Sequence, residues 1–141
     1  MSQTAELLAH ARAELSARCN TVEEAYEFML AYAGQGLASD SGSAKGTQVR
    51  EYLSKAEAAL SGLSAVVARF AGAEGNPELA PYAAFMTVID ADARASRAAI
   101  ALVLAQATIS SQVIDNLNAS IHLRALLTDL FLIDEVLKGV K

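Results

Sequence analysis

The stretch Ile109–Lys141, ISSQVIDNLNASIHLRALLTDLFLIDEVLKGVK, decides how this chain is read. Its apolar residues recur at helical spacing, yet they do not stay on one face. At about 100° per residue, Val113, Ile114, Leu117 and Ile121 share one stripe. Leu123, Leu126, Leu130, Ile133 and Leu137 lie on another, rotated by more than a quarter turn. A helix that covers one small core needs a single stripe. Two stripes call for two packing partners, and in so short a chain the second is expected to be another copy. Leu126, Leu130, Ile133 and Leu137 are therefore the expected shared surface of a homodimer built through the C-terminal helix.

Upstream the pattern is again helical. A first segment, about Thr4–Ala33, carries Leu8, Ala11, Leu15, Arg18, Val22, Ala25, Met29 and Tyr32 at alternating spacings of three and four, with Arg18 the one polar member. Thr21 and Glu24 match a capping box, but the apolar register runs on unchanged, so one long bent helix is expected. Gly34–Gly46, GQGLASDSGSAKG, has the composition of a flexible linker and is long for a helix connection. The second segment, about Thr47–Ala71, repeats Val49, Leu53, Ala56, Leu60, Leu63, Val67 and Phe70 at the spacing of a bundle seam. Gly62 inside it costs about 1 kcal/mol against Ala, offset if another helix approaches closely.

A break at Gly72–Pro81 follows, because Pro81 would interrupt an established helix. The third helix is expected from there to about Ala107, with Tyr82, Met86, Ile89, Ala93, Ser96, Ile100 and Val103 inward. Ser110 or Ser111 caps the fourth. The loop lengths let consecutive helices pack antiparallel. The expectation is an all-α, single-domain, up-down-up-down four-helix bundle over residues 1–141, its first and last helices extending past a compact core.

Composition agrees with that class and narrows the chemistry. Of 141 residues, 53% are hydrophobic and only 6% aromatic, and about thirty are Ala, the best helix former. A sheet protein would need more β-branched and aromatic residues. The net charge of −5 and the dispersed Lys and Arg argue against nucleic acid, whose phosphates need clustered cations. No stretch approaches the roughly 18 apolar residues of a membrane span, and no N-terminal run reads as a signal peptide. The single Cys19 forms no internal disulfide and fits a reducing cytoplasm; it reads as a small, semi-buried apolar residue.

Three polar constellations could carry chemistry. Glu23, Glu24 and Glu27, in VEEAYEF, lie within one turn of each other on a helix. This E-E-x-x-E string resembles the first half of the metal motif of MazG-like all-α nucleoside triphosphate pyrophosphohydrolases. The resemblance implies Mg²⁺ held by these three glutamates against a substrate phosphate. It spans five residues, and its second half, E-x-x-D, is missing: no Glu here is followed by Asp three positions later. An acidic solvent face is the favoured reading. Ser111, Asp115, Asn118, His122 and Asp129 fall within about 40° on a continuous wheel, which makes His122, Asp115 and Asn118 candidate catalytic groups. No nucleophile motif or metal-ligand spacing supports them, so a polar helix side is favoured. The words around His122, IHLRAL, resemble the phospho-acceptor box of sensor histidine kinases, with one residue between His and Leu missing and no Pro after it. Asp90, Arg94 and Arg97 form a third column, which could receive a carboxylate or phosphate but is read as a salt-bridged surface or an intersubunit contact.

The reading that results is a non-catalytic, self-associating bundle acting as an adaptor, regulator or accessory subunit, without cofactor. Two alternatives stand beside it. One is the Mg²⁺-dependent pyrophosphohydrolase; the other is a small-ligand-binding bundle with Tyr26, Tyr82, Phe85 or Phe131 lining an apolar pocket.

Overall fold

Ser43 shows why the chain turns helical where it does. Its backbone is extended and its hydroxyl accepts the Gly46 N–H at 2.9 Å, so α2 starts at Ala44, three residues before Thr47. The computed structural model describes residues 2–139, so Val140 and Lys141 of the C-terminal stretch lie outside the described residues. Among the described residues six α-helices form: α1 (Gln3–Ala33), α2 (Ala44–Ser61), α3 (Leu63–Ala68), α4 (Ala80–Leu104), α5 (Ser111–Ala119) and α6 (Ile121–Lys138). A short 3-10 turn occupies Ala73–Gly75. The protein is all-α, and the described residues contain no strand.

The helices make four legs rather than four continuous helices. α1 is unbroken, as the register implied; Thr21 caps nothing and instead donates its hydroxyl to the Ala17 carbonyl in mid-helix. It does not run past the core either, because its stripe is buried from Leu8 to Tyr32. The second leg breaks at Gly62 into α2 and α3. What approaches Gly62 is no helix but the Arg18 guanidinium, which fills the space a Cβ would need and donates to the Ala59 carbonyl at 3.0 Å. The one polar member of the α1 stripe thus caps the C-terminus of α2. α4 opens with Pro81 in its first turn, where no donor is lost. It ends at Leu104, three residues short of the expected Ala107.

The fourth leg breaks at Ser120, whose ψ of 130° is not helical. This break corrects the reading of the two stripes. Ile114 and Leu117 on α5 face inward; the chain then resets its phase, and Leu123, Leu126, Leu130, Ile133 and Leu137 on α6 face inward as well. Both stripes cover one core. Leu126, Leu130, Ile133 and Leu137 are all buried within the single chain, so they are not a shared surface. Ile121, assigned to the first stripe, is left outside.

α1 packs against α2, α5 and α6, and α4 against α2, α3 and α6, closing a ring around one continuous apolar core. Cross-leg bonds fix the sense of each leg. Tyr32 at the end of α1 reaches Ile109 before α5, and Arg50 early in α2 reaches Leu104 at the end of α4. At the opposite end, Asn76 before α4 meets Thr4 of α1. Consecutive legs are antiparallel. Among the described residues no helix is long and apolar enough to cross a membrane.

Candidate functional site: the outer α4–α6 face

Two polar regions and one apolar face are the features the core does not consume. The first polar region lies where residues 34–43 cross from α1 to α2. Composition marks this segment as a linker, but its backbone is pinned. Leu37 N–H donates to Ser111 Oγ at 2.9 Å, and Ser111 N–H donates to the Leu37 carbonyl at 2.8 Å. Ser111 Oγ in turn donates to the Tyr32 carbonyl at 2.6 Å, while Tyr32 Oη donates to the Ile109 carbonyl at 2.6 Å. Asp40 accepts Ile109 N–H at 2.7 Å and Arg50 Nε at 2.7 Å. Arg50 spends its other donors on the carbonyls of Leu104, Gln106 and Ala107, closing the C-terminus of α4. Hydrogen bonding to Arg50, followed by the Ile109 N–H, holds the Asp40 carboxyl below its usual range despite partial desolvation. Gly46 is required here because a Cβ would run into the Asp40 carbonyl. This knot is complete in itself.

The second polar region lies between α4 and α6. Asp129 of α6 and Asp92 of α4 face each other across the helix contact. Among the described residues Asp129 Oδ2 is buried and has no hydrogen-bond partner. Its pKa is pushed up to about 7, first by burial and then by the neighbouring Asp92 carboxyl. Below this pair, Pro81, Tyr82 and Phe85 of α4 with Leu132, Ile133 and Val136 of α6 line an apolar groove of about 340 Å³. On α6 four large apolar side chains stand in solvent: Ile121 at 75% exposure, Phe131 at 48%, Leu132 at 53% and Val136 at 45%.

The proposed catalytic column does not assemble. The break at Ser120 rotates α6 against α5, so Asp115 and His122 are exposed while Ser111 and Asn118 are buried. Ser111 is engaged with Tyr32 and Leu37, and both side-chain amide atoms of Asn118 are buried without a partner. Glu24 and Glu27 project into solvent from α1 and Glu23 is half-buried. Among the described residues no group of three or more His, Cys, Asp or Glu is placed to hold a metal ion. The arginine column also divides: Arg94 pairs with Asp90 at 3.0 Å, whereas Arg97 pairs with Glu57 of α2 at 3.1 Å. Tyr82 and Phe85 share the groove, while Tyr26 packs on the core and Phe131 is exposed. Cys19 is buried, and desolvation followed by the charges of Asp134 and Glu23 pushes its thiol up to about 11, so it is unreactive.

Asp92 escaped the sequence reading. Its signal is the outer face of α4, where Phe85, Val88, Asp92, Ala95 and Ala99 recur at spacings of three and four with one acid among apolar residues. No protein-family model, curated protein or solved structure matches this chain.

Proposed function

We propose that this protein is a non-catalytic helical bundle that self-associates and serves as an adaptor, regulator or accessory subunit, and that copies meet on the outer face of α6. The observation that carries this reading is the set Ile121, Phe131, Leu132 and Val136, four large apolar side chains about half exposed or more on one 18-residue helix. Single exposed apolar residues are ordinary, whereas a run of them along one helix beside an apolar groove marks a contact surface. The surface differs from the stripe read from sequence but sits on the same helix. The single buried thiol of Cys19 fits a reducing cytoplasmic setting.

Size-exclusion chromatography with light scattering, run over a range of concentrations, tests the proposal. The expected mass rises from one chain toward two, and Leu132→Asp holds it at one. A wild-type chain that stays monomeric at high concentration overturns the reading.

A further inference from the structure

The outer face of α6 has a pattern of its own, distinct from the stripe that enters the core. Ile121, Ala125, Thr128 and Leu132 recur at 4-3-4, the spacing of a coiled-coil seam. On one flank of that seam stand Arg124 and Phe131, and on the other Asp129 and Val136. In a parallel pair of helices each residue on one flank meets the partner residue five positions further on, on the opposite flank. Arg124 is then opposite the partner's Asp129, and Phe131 opposite the partner's Val136. This one register uses every large exposed apolar residue of α6. It also gives partners to two groups that lack them. Arg124 makes no ion pair among the described residues. Asp129 faces only another carboxyl.

We propose that two copies pair through α6, parallel and in register about a two-fold axis, with Arg124 of each bonded to the partner's Asp129. The proposal rests on the self-association reading above and adds the occupant's geometry. Charge complementarity selects a second copy. An antiparallel pair would put each flank against its own kind, bringing the two Asp92–Asp129 pairs to the same side and leaving Val136 without a counterpart. Glu135, the next seam position, closes the apolar run; Lys138, paired with Asp134 at 3.4 Å, also lies 3.7 Å from the Glu135 carboxylate and lessens the meeting of two like charges. A guanidinium on the Asp129 carboxylate also relieves the crowded carboxyl pair, because it stabilises the ionised form that burial and Asp92 oppose.

Two measurements on the full chain decide it. Leu132→Cys should oxidise rapidly to a covalent dimer, since a parallel register brings the two positions within the Cα separation of about 7 Å that a disulfide tolerates. An antiparallel pair centred on the same seam would hold them about 16 Å apart. Wild-type protein, whose thiol is buried, should form no such dimer. Arg124→Asp and Asp129→Arg should each weaken association about tenfold, and the double variant should recover most of it. A dimer by light scattering that fails to cross-link at Leu132→Cys, or whose affinity ignores the charge swaps, overturns the register while leaving self-association in place. A wild-type monomer overturns both. Helical circular dichroism equal to wild type shows that each variant is folded.

Discussion

At one end of the bundle, where residues 34–43 cross between α1 and α2, the polar groups of the knot answer one another. Tyr32, Ser111, Asp40 and Arg50 bond to backbone from four different segments. Along the outer face of α6 and its contact with α4 the opposite holds among the described residues: a carboxyl oxygen is buried without a donor, Arg124 makes no ion pair, and large apolar side chains face water. Both regions are polar surfaces laid over the same core, so composition alone does not separate them. Satisfaction does. A closed network contributes stability and offers a partner nothing, whereas unmet hydrogen-bonding capacity beside exposed apolar surface is where binding free energy remains to be gained.

Substitutions two residues apart break that contrast most sharply. Leu130→Asp places a charge among core side chains and should cost at least about 4 kcal/mol, abolishing the cooperative thermal transition. Leu132→Asp lies in solvent and should shift stability by no more than about 0.5 kcal/mol, while removing association. Next in size is the knot. Asp40→Ala leaves the Ile109 N–H and the Arg50 guanidinium without their acceptor, and urea denaturation should show a loss of about 2–3 kcal/mol.

Gly46→Ala forces a Cβ against the Asp40 backbone and should cost about 1–3 kcal/mol. Gly62→Ala displaces only the far end of the Arg18 side chain, and its gain in helix propensity should hold the net change within about 1 kcal/mol. Equal costs in the two glycine variants would show that the crossing segment is not fixed by its backbone.

A pH slope of opposite sign in the two regions completes the contrast. Asp129 has a folded pKa raised from 3.8 to about 7. Between those values the folded chain holds a proton that the unfolded chain has released, so stability falls as pH rises from about 4 to about 7 and is flat beyond. Asp129→Asn should therefore melt above wild type at about pH 8, with the difference vanishing near pH 4. Asp40 is depressed in the folded state, so its contribution is present at neutral pH and is lost as pH falls below its unfolded value of 3.8. Melting curves of Asp129→Asn and Asp40→Ala across this range, at low protein concentration, should show the two slopes in separate windows.

Local signals carried most of the architecture. The seam spacing of α1 and α2, the Ser110 cap of α5 and the position of Pro81 in α4 each depend on residues within a turn or two of one another. Two features escaped for opposite reasons. The phase jump near Ser120 was visible, but a wheel drawn through it treats a broken helix as continuous, and the rotated stripe then demands a second partner. The run Asn118-Ala119-Ser120, with two residues of poor helix propensity, is the clue that the helix stops. The knot was invisible because its partners lie far apart in sequence: Asp40 and Ile109 are 69 positions apart, and Tyr32 and Ile109 are 77. Nothing in GQGLASDSGSAKG distinguishes a pinned crossing from a free linker. The carboxyl pair falls between these cases, since each acid sits on a readable face but only the packing of α4 on α6 joins them.

The central claim is that one face of one helix brings copies of this protein together. Sedimentation equilibrium on wild type, Leu132→Asp and Leu102→Asp tests it most directly, because Leu102 is also exposed, at 67%, but lies on α4. The account predicts a dimer for wild type and for Leu102→Asp, and a folded monomer for Leu132→Asp. A dimer that survives Leu132→Asp and is lost in Leu102→Asp, or a wild type that never associates, would contradict it.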